Sequence, residues 1–255
     1  MREDGKVPGA ASARKILSVI LSYTVDKPLW SVAELSETLD VSMPTMYRYV
    51  ALLREMGLLE PAGVNLYRLS ERMIGLARAA QKSRSSLEEV SMPVMERIRD
   101  LVNETVLVAR RNGDHVYCVE RVESRQPVRL QFERGQPMSL HKGSLARVLL
   151  ANMPKTEQAR YLASVAPTLS EKSAELLSEQ SLAAVLQAGY TQSFEEVDEG
   201  IWGTAAAIRV DGKVVAALGV AAPIYRLDTR HRELIIENVR AGATEISRRM
   251  GGEFD

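Results

Sequence analysis

Apolar residues recur at helical spacing three times between residues 11 and 60. In "SARKILSVILSYTV", Ile16, Leu17, Ile20 and Leu21 fall on one face, which predicts an amphipathic helix. "DKPLW" breaks the pattern. "SVAELSETLD" then offers Val32, Leu35 and Leu39 to a core. Ser31 is placed to cap this second helix, and Glu34 stands three residues on, the spacing of a capping box. After a tight turn, "VSMPTMYRYVALLREMGLLE" predicts a third helix. Ser42 serves as its cap, and Pro44 sits in the first turn, where a missing N–H costs nothing. Gly57 ends it. Two short strand-like runs, residues 58–60 and 65–69, flank a Pro-Ala-Gly turn.

The pattern then changes. "SERMIGLARAAQKSRSS" reads as a linker helix beginning at residue 70, with Arg, Lys and Ser dense towards its end. A longer amphipathic helix follows, "SLEEVSMPVMERIRDLVNE", and then three strands, "TVLVARRNG", "HVYCVERVE" and "VRLQFERG". "LHKGSLARVLLANM" is a loop running into a helix, "KTEQARYLA" follows it, and "SAELLSEQSLAAVLQAGY" reads as one helical stretch. "GTAAAIRVDGKVVAALGVAAP" is a hairpin with Asp211 and Gly212 as its turn. "DTRHRELIIENVRAGATEISRRMGG" closes the chain as a helix. Helices beside mostly antiparallel strands predict an α+β class. The expected domains are 11–69, a linker helix at 70–85, and 86–250, with no internal repeat.

The totals add limits rather than direction. The 255 residues suit one large or two ordinary domains, and 45% hydrophobic with 26% charged residues is close to globular averages. Lys plus Arg and Asp plus Glu are both 33, so no whole-chain basic signal for nucleic acid exists. Residues 1–85 carry 12 basic and 9 acidic side chains, a weak positive bias. The single cysteine, Cys118, excludes a disulfide framework and a cysteine-based metal site within one chain. His115, His141 and His231 are too scattered for a ligand cluster, so no metal and no cofactor is expected. No apolar run reaches the roughly 18 residues of a membrane helix. "MREDGKVPGA" lacks the apolar stretch of a signal peptide. The expectation is a cytoplasmic protein with no membrane partner.

The third helix has two kinds of face. At 100° per residue, Met46, Val50 and Leu53 lie together with Tyr49 beside them, suited to a core. Met43, Pro44, Thr45, Tyr47 and Arg48 are left pointing outward near the N-terminus. Three helices and a hairpin in this order describe a winged helix-turn-helix, whose recognition helix needs such a division. Arg48 suits a guanine or a phosphate, and Thr45 a phosphate or a thymine methyl. The hairpin adds Asn65, Tyr67 and Arg68 for backbone or minor-groove contact. The same outward residues would equally serve as the solvated face of a small helical bundle.

Family resemblance bears on that choice. "ARKILSVILSYTVDKPLWSVAELSETLDVSMPTMYRYVALLREMGLLE" and "LYRLSERMIGLA" resemble the DNA-binding domain, wing and linker of IclR-family transcriptional regulators. "SMPVMERIRDLVNETVLVARRNGDHVYCVERVES", "QPMSLHKGSLARVLLA" and "AGYTQSFEEVDEGIWGTAAAIRVDGKVVAALGVAAP" resemble successive parts of the family's effector domain. The resemblance implies an N-terminal winged helix-turn-helix and a C-terminal GAF/PAS-like effector-binding domain. It implies homodimers or homotetramers, palindromic-type operators in double-stranded DNA, and a small-molecule effector that changes the balance. No enzymatic activity is implied.

The resemblance also places a ligand pocket. The family's loop amides that hold a carboxylate match Gly143 and Ser144, and a glycine beside a helix start has physical sense there. An acidic family position matches Ser193, a cysteine position Gly203, and two polar hairpin positions Gly219 and Ala221. Each departure removes a side-chain hydrogen-bonding group. A pocket lined by Leu130, Ile201 and Val220 would favour a more apolar or larger ligand than a small keto-acid; the other reading is a vestigial pocket that binds nothing. Lys142 either adds a charge beside the pocket or faces water. The run Glu195, Glu196, Asp198, Glu199 reads as a solvated loop, Cys118 as a core residue, and His141 as an anchor of the pocket loop. No Ser-His-Asp, P-loop or dinucleotide pattern appears.

Overall fold

The three N-terminal apolar stretches form helices α1 (Ala11–Leu21), α2 (Val32–Thr38) and α3 (Met43–Glu55). They are seen in a computed structural model that describes residues 9–82, 85–127, 132–135 and 137–251. The chain divides into two units between residues 84 and 85.

In the first unit, α2 begins as its sequence predicts. The Ser31 hydroxyl accepts from the Glu34 amide, and the Glu34 carboxylate accepts from the Ser31 amide at 2.8 Å. Lys27 Nζ adds a bond at 2.9 Å. The Ser31 amide, then the Lys27 and Ser31 side chains, hold the Glu34 carboxyl down at about 2, against an ordinary 4.5. A depressed pKa means that this group's stabilising contribution is present above its unfolded value and lost as pH falls through the folded one. An NMR titration of the Glu34 carboxyl should therefore show it charged until pH approaches about 2; a midpoint near 4.5 would remove the capping box from solution.

Two local expectations are corrected. Ser42 stands at the N-cap of α3, but its hydroxyl bonds the Thr45 hydroxyl at 2.9 Å instead of a backbone amide. On α1, Val19 is fully buried, with Ile16, Ile20 and Tyr23 packed beside it. Leu17 and Leu21 are 61% and 78% exposed. The apolar arc of α1 is wider than the core it meets, so the expected face is split between inside and outside.

The hairpin after Gly57 consists of β2 (Leu59–Pro61) and β3 (Leu66–Leu69), and β3 pairs on its other side with a two-residue strand, β1 (Trp30–Ser31). That short strand was not expected, because two residues carry no period. It lays the buried Trp30 opposite Tyr67. Helix α4 (Arg72–Lys82) follows, where the linker helix was expected.

The second unit is a six-stranded antiparallel sheet in the order β6-β5-β4-β9-β8-β7. Its members are β4 (Thr105–Asn112), β5 (His115–Val122), β6 (Pro137–Ser139), β7 (Tyr190–Phe194), β8 (Ile201–Val210) and β9 (Lys213–Pro223). One face carries α5 (Ser85–Val102) and α10 (Thr229–Met250), with Val94, Ile98, Val106, Trp202, Leu218 and Val239 in their shared core. The opposite side packs α6 (Ser144–Ala151), α7 (Lys155–Val165) and α9 (Glu179–Ala188) around Leu140, Leu150, Tyr161 and Leu182. Helices segregated around an antiparallel sheet make the class α+β.

Small residues set the layer spacing. A Cβ at Gly242 of α10 would fall 2.8 Å from Ile98 and 3.0 Å from Leu218, so its absence lets α10 lie against α5 and the sheet. The β8–β9 turn uses Asp211 and Gly212, both at positive φ, as expected from the Asp-Gly pair. Other expectations fail. The stretch read as one helix is two, α8 (Glu171–Leu176) and α9, because Ser178 caps a new start by accepting from the Ser181 amide. Gly189, in the left-handed conformation, ends α9, so Tyr190 opens β7 instead of extending the helix. The strand expected at 128–135 is not found over residues 132–135, and 128–131 lie outside the described residues.

Candidate nucleic-acid interface and ligand pocket

Helix α3 separates its faces as its periodicity predicts. Met46, Val50 and Leu53 are buried and Tyr49 packs beside them. Met43, Pro44, Tyr47 and Arg48 are exposed on the outer side, with Thr45 half-buried. Arg48 makes no ion pair among the described residues, so its charge is unspent. Asn65 is exposed in the wing turn at positive φ. Arg68 is exposed too, but it pairs with Glu60 at 2.7 Å across the hairpin. Tyr67 is placed differently from the expectation: its ring packs on the core of the unit, with the Arg54 guanidinium 5.8 Å from its centroid. The most exposed large apolar residue of the wing is Val64, at 90%, and no periodicity in the sequence marks it.

In the second unit, a cleft opens between α6, the β8–β9 ribbon and the loop after β7. Gly143, Ser144, Ser193, Ile201, Gly203 and Ala221 line it, as does Val220. Gly219 does not. A Cβ there would meet the Thr204 carbonyl at 2.7 Å and Leu145 at 3.0 Å, so this glycine makes room for Leu145 against the sheet. Leu130 lies outside the described residues. Leu107, Phe132, Met138, Leu145 and Val197 complete the walls and make them mainly apolar. Sequence reading had no means of finding these, since they come from four separate segments.

The cleft's polar groups are few. Ser144 and Ser193 are 6% and 7% exposed. Both hydroxyls lie 3.0 Å from where a Gly203 Cβ would stand, so the missing side chain leaves them facing one spot. Ser193 Oγ reaches the Gly203 carbonyl at 3.5 Å, the limit of a hydrogen bond. Lys142 lies on the rim and is exposed, so it faces water while still bordering the cleft.

The acidic run is not uniformly solvated. Glu196 is half-buried and pairs with the buried Arg147: both carboxylate oxygens accept from Nη1 at 2.9 Å, and the side chains are 12% and 4% exposed. Arg147 also donates to the Gln192 carbonyl and, from Nε, to Thr191 Oγ1 at 3.4 Å. The Gly143 amide, expected to be open to a ligand, donates to Glu196 at 3.1 Å. Glu195 accepts from the Gly200 amide, and Asp198 and Glu199 are exposed.

Candidates for catalysis are spent on structure. His141 Nδ1 lies 2.8 Å from the Tyr161 hydroxyl, which fixes the loop before α6. Burial, then the Lys142 charge, lower its pKa. Burial pushes the Cys118 thiol up to about 11, so it is no thiolate at neutral pH. No metal-binding group of three or more ligands exists among the described residues, and none of their helices is long and apolar enough to cross a membrane.

The chain is similar to known proteins over most of its length. The family model for the C-terminal domain of bacterial IclR transcriptional regulators matches residues 79–248. The Bacillus subtilis HTH-type transcriptional regulator KipR is 27% identical over 238 residues, covering 91% of this chain and 94% of its own. The Escherichia coli HTH-type transcriptional repressor AllR is 28% identical over 228 residues, covering 87% and 83%. An IclR-family regulator from Brucella abortus superposes with a TM-score of 0.78 at 20% identity, over 93% of this chain and 91% of that one. An IclR homologue from Microbacterium hydrocarbonoxydans, solved with 4-hydroxybenzoate, superposes with a TM-score of 0.74 at 23% identity, over 95% and 100%.

Proposed function

The chain belongs to the IclR family of bacterial transcriptional regulators, and on that premise we propose that it binds palindromic-type operators as a dimer or tetramer, with an affinity modulated by a small molecule held in residues 85–251. It is a DNA-binding regulator, not an enzyme. The observation that carries the operator reading is the unspent outer face of α3, where exposed Tyr47 and Arg48 stand beside Met43 and Pro44 while the opposite face fixes the helix. A helix anchored in this way suits the major groove. Asn65 and Arg68 on the wing suit the neighbouring backbone, and Arg68 would exchange Glu60 for a phosphate. Tyr67 supports the wing from inside.

Self-association is supported by Leu17 and Leu21, two exposed leucines one turn apart on α1. An effector is supported by the apolar cleft with its two convergent hydroxyls, the form that ligand sites take. The Microbacterium homologue's 4-hydroxybenzoate supports a ligand built on an aromatic ring with a hydroxyl, though that molecule also carries a carboxylate.

The test is binding to operator fragments selected from the genome, read by fluorescence anisotropy. Arg48→Ala should weaken binding by about 1–3 kcal/mol if Arg48 reads a base pair. Unchanged affinity with an unchanged salt slope would take Arg48 off the interface. Failure of the full chain to select any DNA would reject the operator reading as a whole.

A further inference from the structure

The pocket loop already holds a carboxylate, and that carboxylate is the protein's own. Glu196 takes the Gly143 amide at 3.1 Å and the Arg147 guanidinium at 2.9 Å. Arg147 is 4% exposed and has no second acid within reach among the described residues. The cation is therefore neutralised and the amide occupied before any ligand arrives. An anionic ligand entering here would meet Glu196 as a like charge in a poorly solvated place, where such repulsion is least screened. Displacing Glu196 would take from a half-buried anion, 12% exposed, the partners that offset its charge, which is unfavourable.

The groups left unspent are neutral. The Ser144 hydroxyl makes no hydrogen bond among the described residues, although the residue is 6% exposed and its oxygen faces the cleft beside Gly203. Ser193 approaches the same spot with only a marginal bond of its own. Around them stand Leu107, Met138, Leu145 and Ile201. Among the described residues the rim carries one exposed cation and one exposed carboxylate, Lys142 and Asp198. Free space between the walls is about 50 Å³, room for a few waters. Val197, 53% exposed, is the wall that stands next to water.

We infer that Glu196 is a specificity-determining residue, a built-in carboxylate that shuts anionic ligands out of the Gly143–Arg147 position. The effector it selects is an uncharged, largely apolar molecule presenting one hydroxyl or carbonyl to Ser144 and Ser193. This rests on the reading of the cleft as the effector site.

The test is calorimetric titration of the full-length protein with benzyl alcohol and with benzoate, probes of one size that differ in charge. Wild type should bind benzyl alcohol more tightly by about tenfold or more. Glu196→Gln, whose amide oxygen can still accept from Arg147 and keep the loop tied to α6, should keep the alcohol and gain benzoate, collapsing that ratio. Gly203→Val, which fills the space between the two hydroxyls, should lose both. A wild-type preference for benzoate that Gly203→Val abolishes would overturn the role of Glu196 and leave the cleft as the effector site. Binding that Gly203→Val leaves unchanged would instead reject the cleft. Absence of binding by either probe overturns the inference. Should Glu196→Gln fail to fold, judged by circular dichroism, the wild-type ratio decides alone.

Discussion

Arg147→Ala is expected to destabilise the second unit by about 3–5 kcal/mol, the usual consequence of removing one partner from a buried ion pair. The side chain is 4% exposed, and its loss would strand Glu196, itself 12% exposed, with only the Gly143 amide to offset its charge. The Gln192 carbonyl and the Thr191 hydroxyl would lose a donor at the same time. The pair also ties the loop after β7 to α6, so the cleft should lose its shape along with the stability. Urea unfolding followed by far-UV circular dichroism measures the first effect. The double variant Arg147→Met, Glu196→Gln should recover a large part of the loss, because it leaves no unpaired charge behind. A loss below about 1 kcal/mol for the single variant would mean that the pair behaves as a surface salt bridge.

Trp202→Ala is expected to cost about 3–5 kcal/mol by leaving a large void in a packed core. Trp202 is completely buried, lies among Val106, Leu218 and Val220, and donates from Nε1 to Gln192 at 3.2 Å. Its neighbours belong to the sheet and to α5 and α10, which cannot close the gap without moving whole layers. The chain has two tryptophans, and the other, Trp30, belongs to the first unit. In the variant, Trp30 fluorescence therefore reports on that unit alone, and the part of the circular dichroism transition that does not follow it belongs to the second unit. A loss of under about 1.5 kcal/mol would show that the site collapses instead of leaving a cavity.

How much of this could be read in advance depended on whether the signal was local. The capping box at Ser31 and Glu34, the Asp211-Gly212 turn and the two faces of α3 are settled within four residues or one helical period, and each was legible. The break between α8 and α9 was also written locally, as Ser178 with Glu179 after it, and was overlooked in an otherwise helical run. Strand β1 was not legible, since Trp30 and Ser31 become a strand only by pairing with Tyr67 and Leu66. The largest misreading, Glu196 as a solvated acid, has the same origin. Its partner lies 49 residues earlier, and nothing in the acidic run distinguishes it from Glu195, Asp198 or Glu199. Long-range pairing also decided which apolar face of α1 went inside.

Gly203 bears on descent as well as on binding. Its backbone has no need of glycine, since it lies outside the positive-φ region, and the atoms nearest a new Cβ are two hydroxyls that can rotate away. Every glycine codon reaches one for alanine by one base change, and those ending in T or C also reach serine and cysteine. The cleft can thus be re-addressed in a single mutational step at a position where the fold makes little objection. On the proposal that the cleft holds the effector, such a change would alter the signal and leave the outer face of α3 as it is.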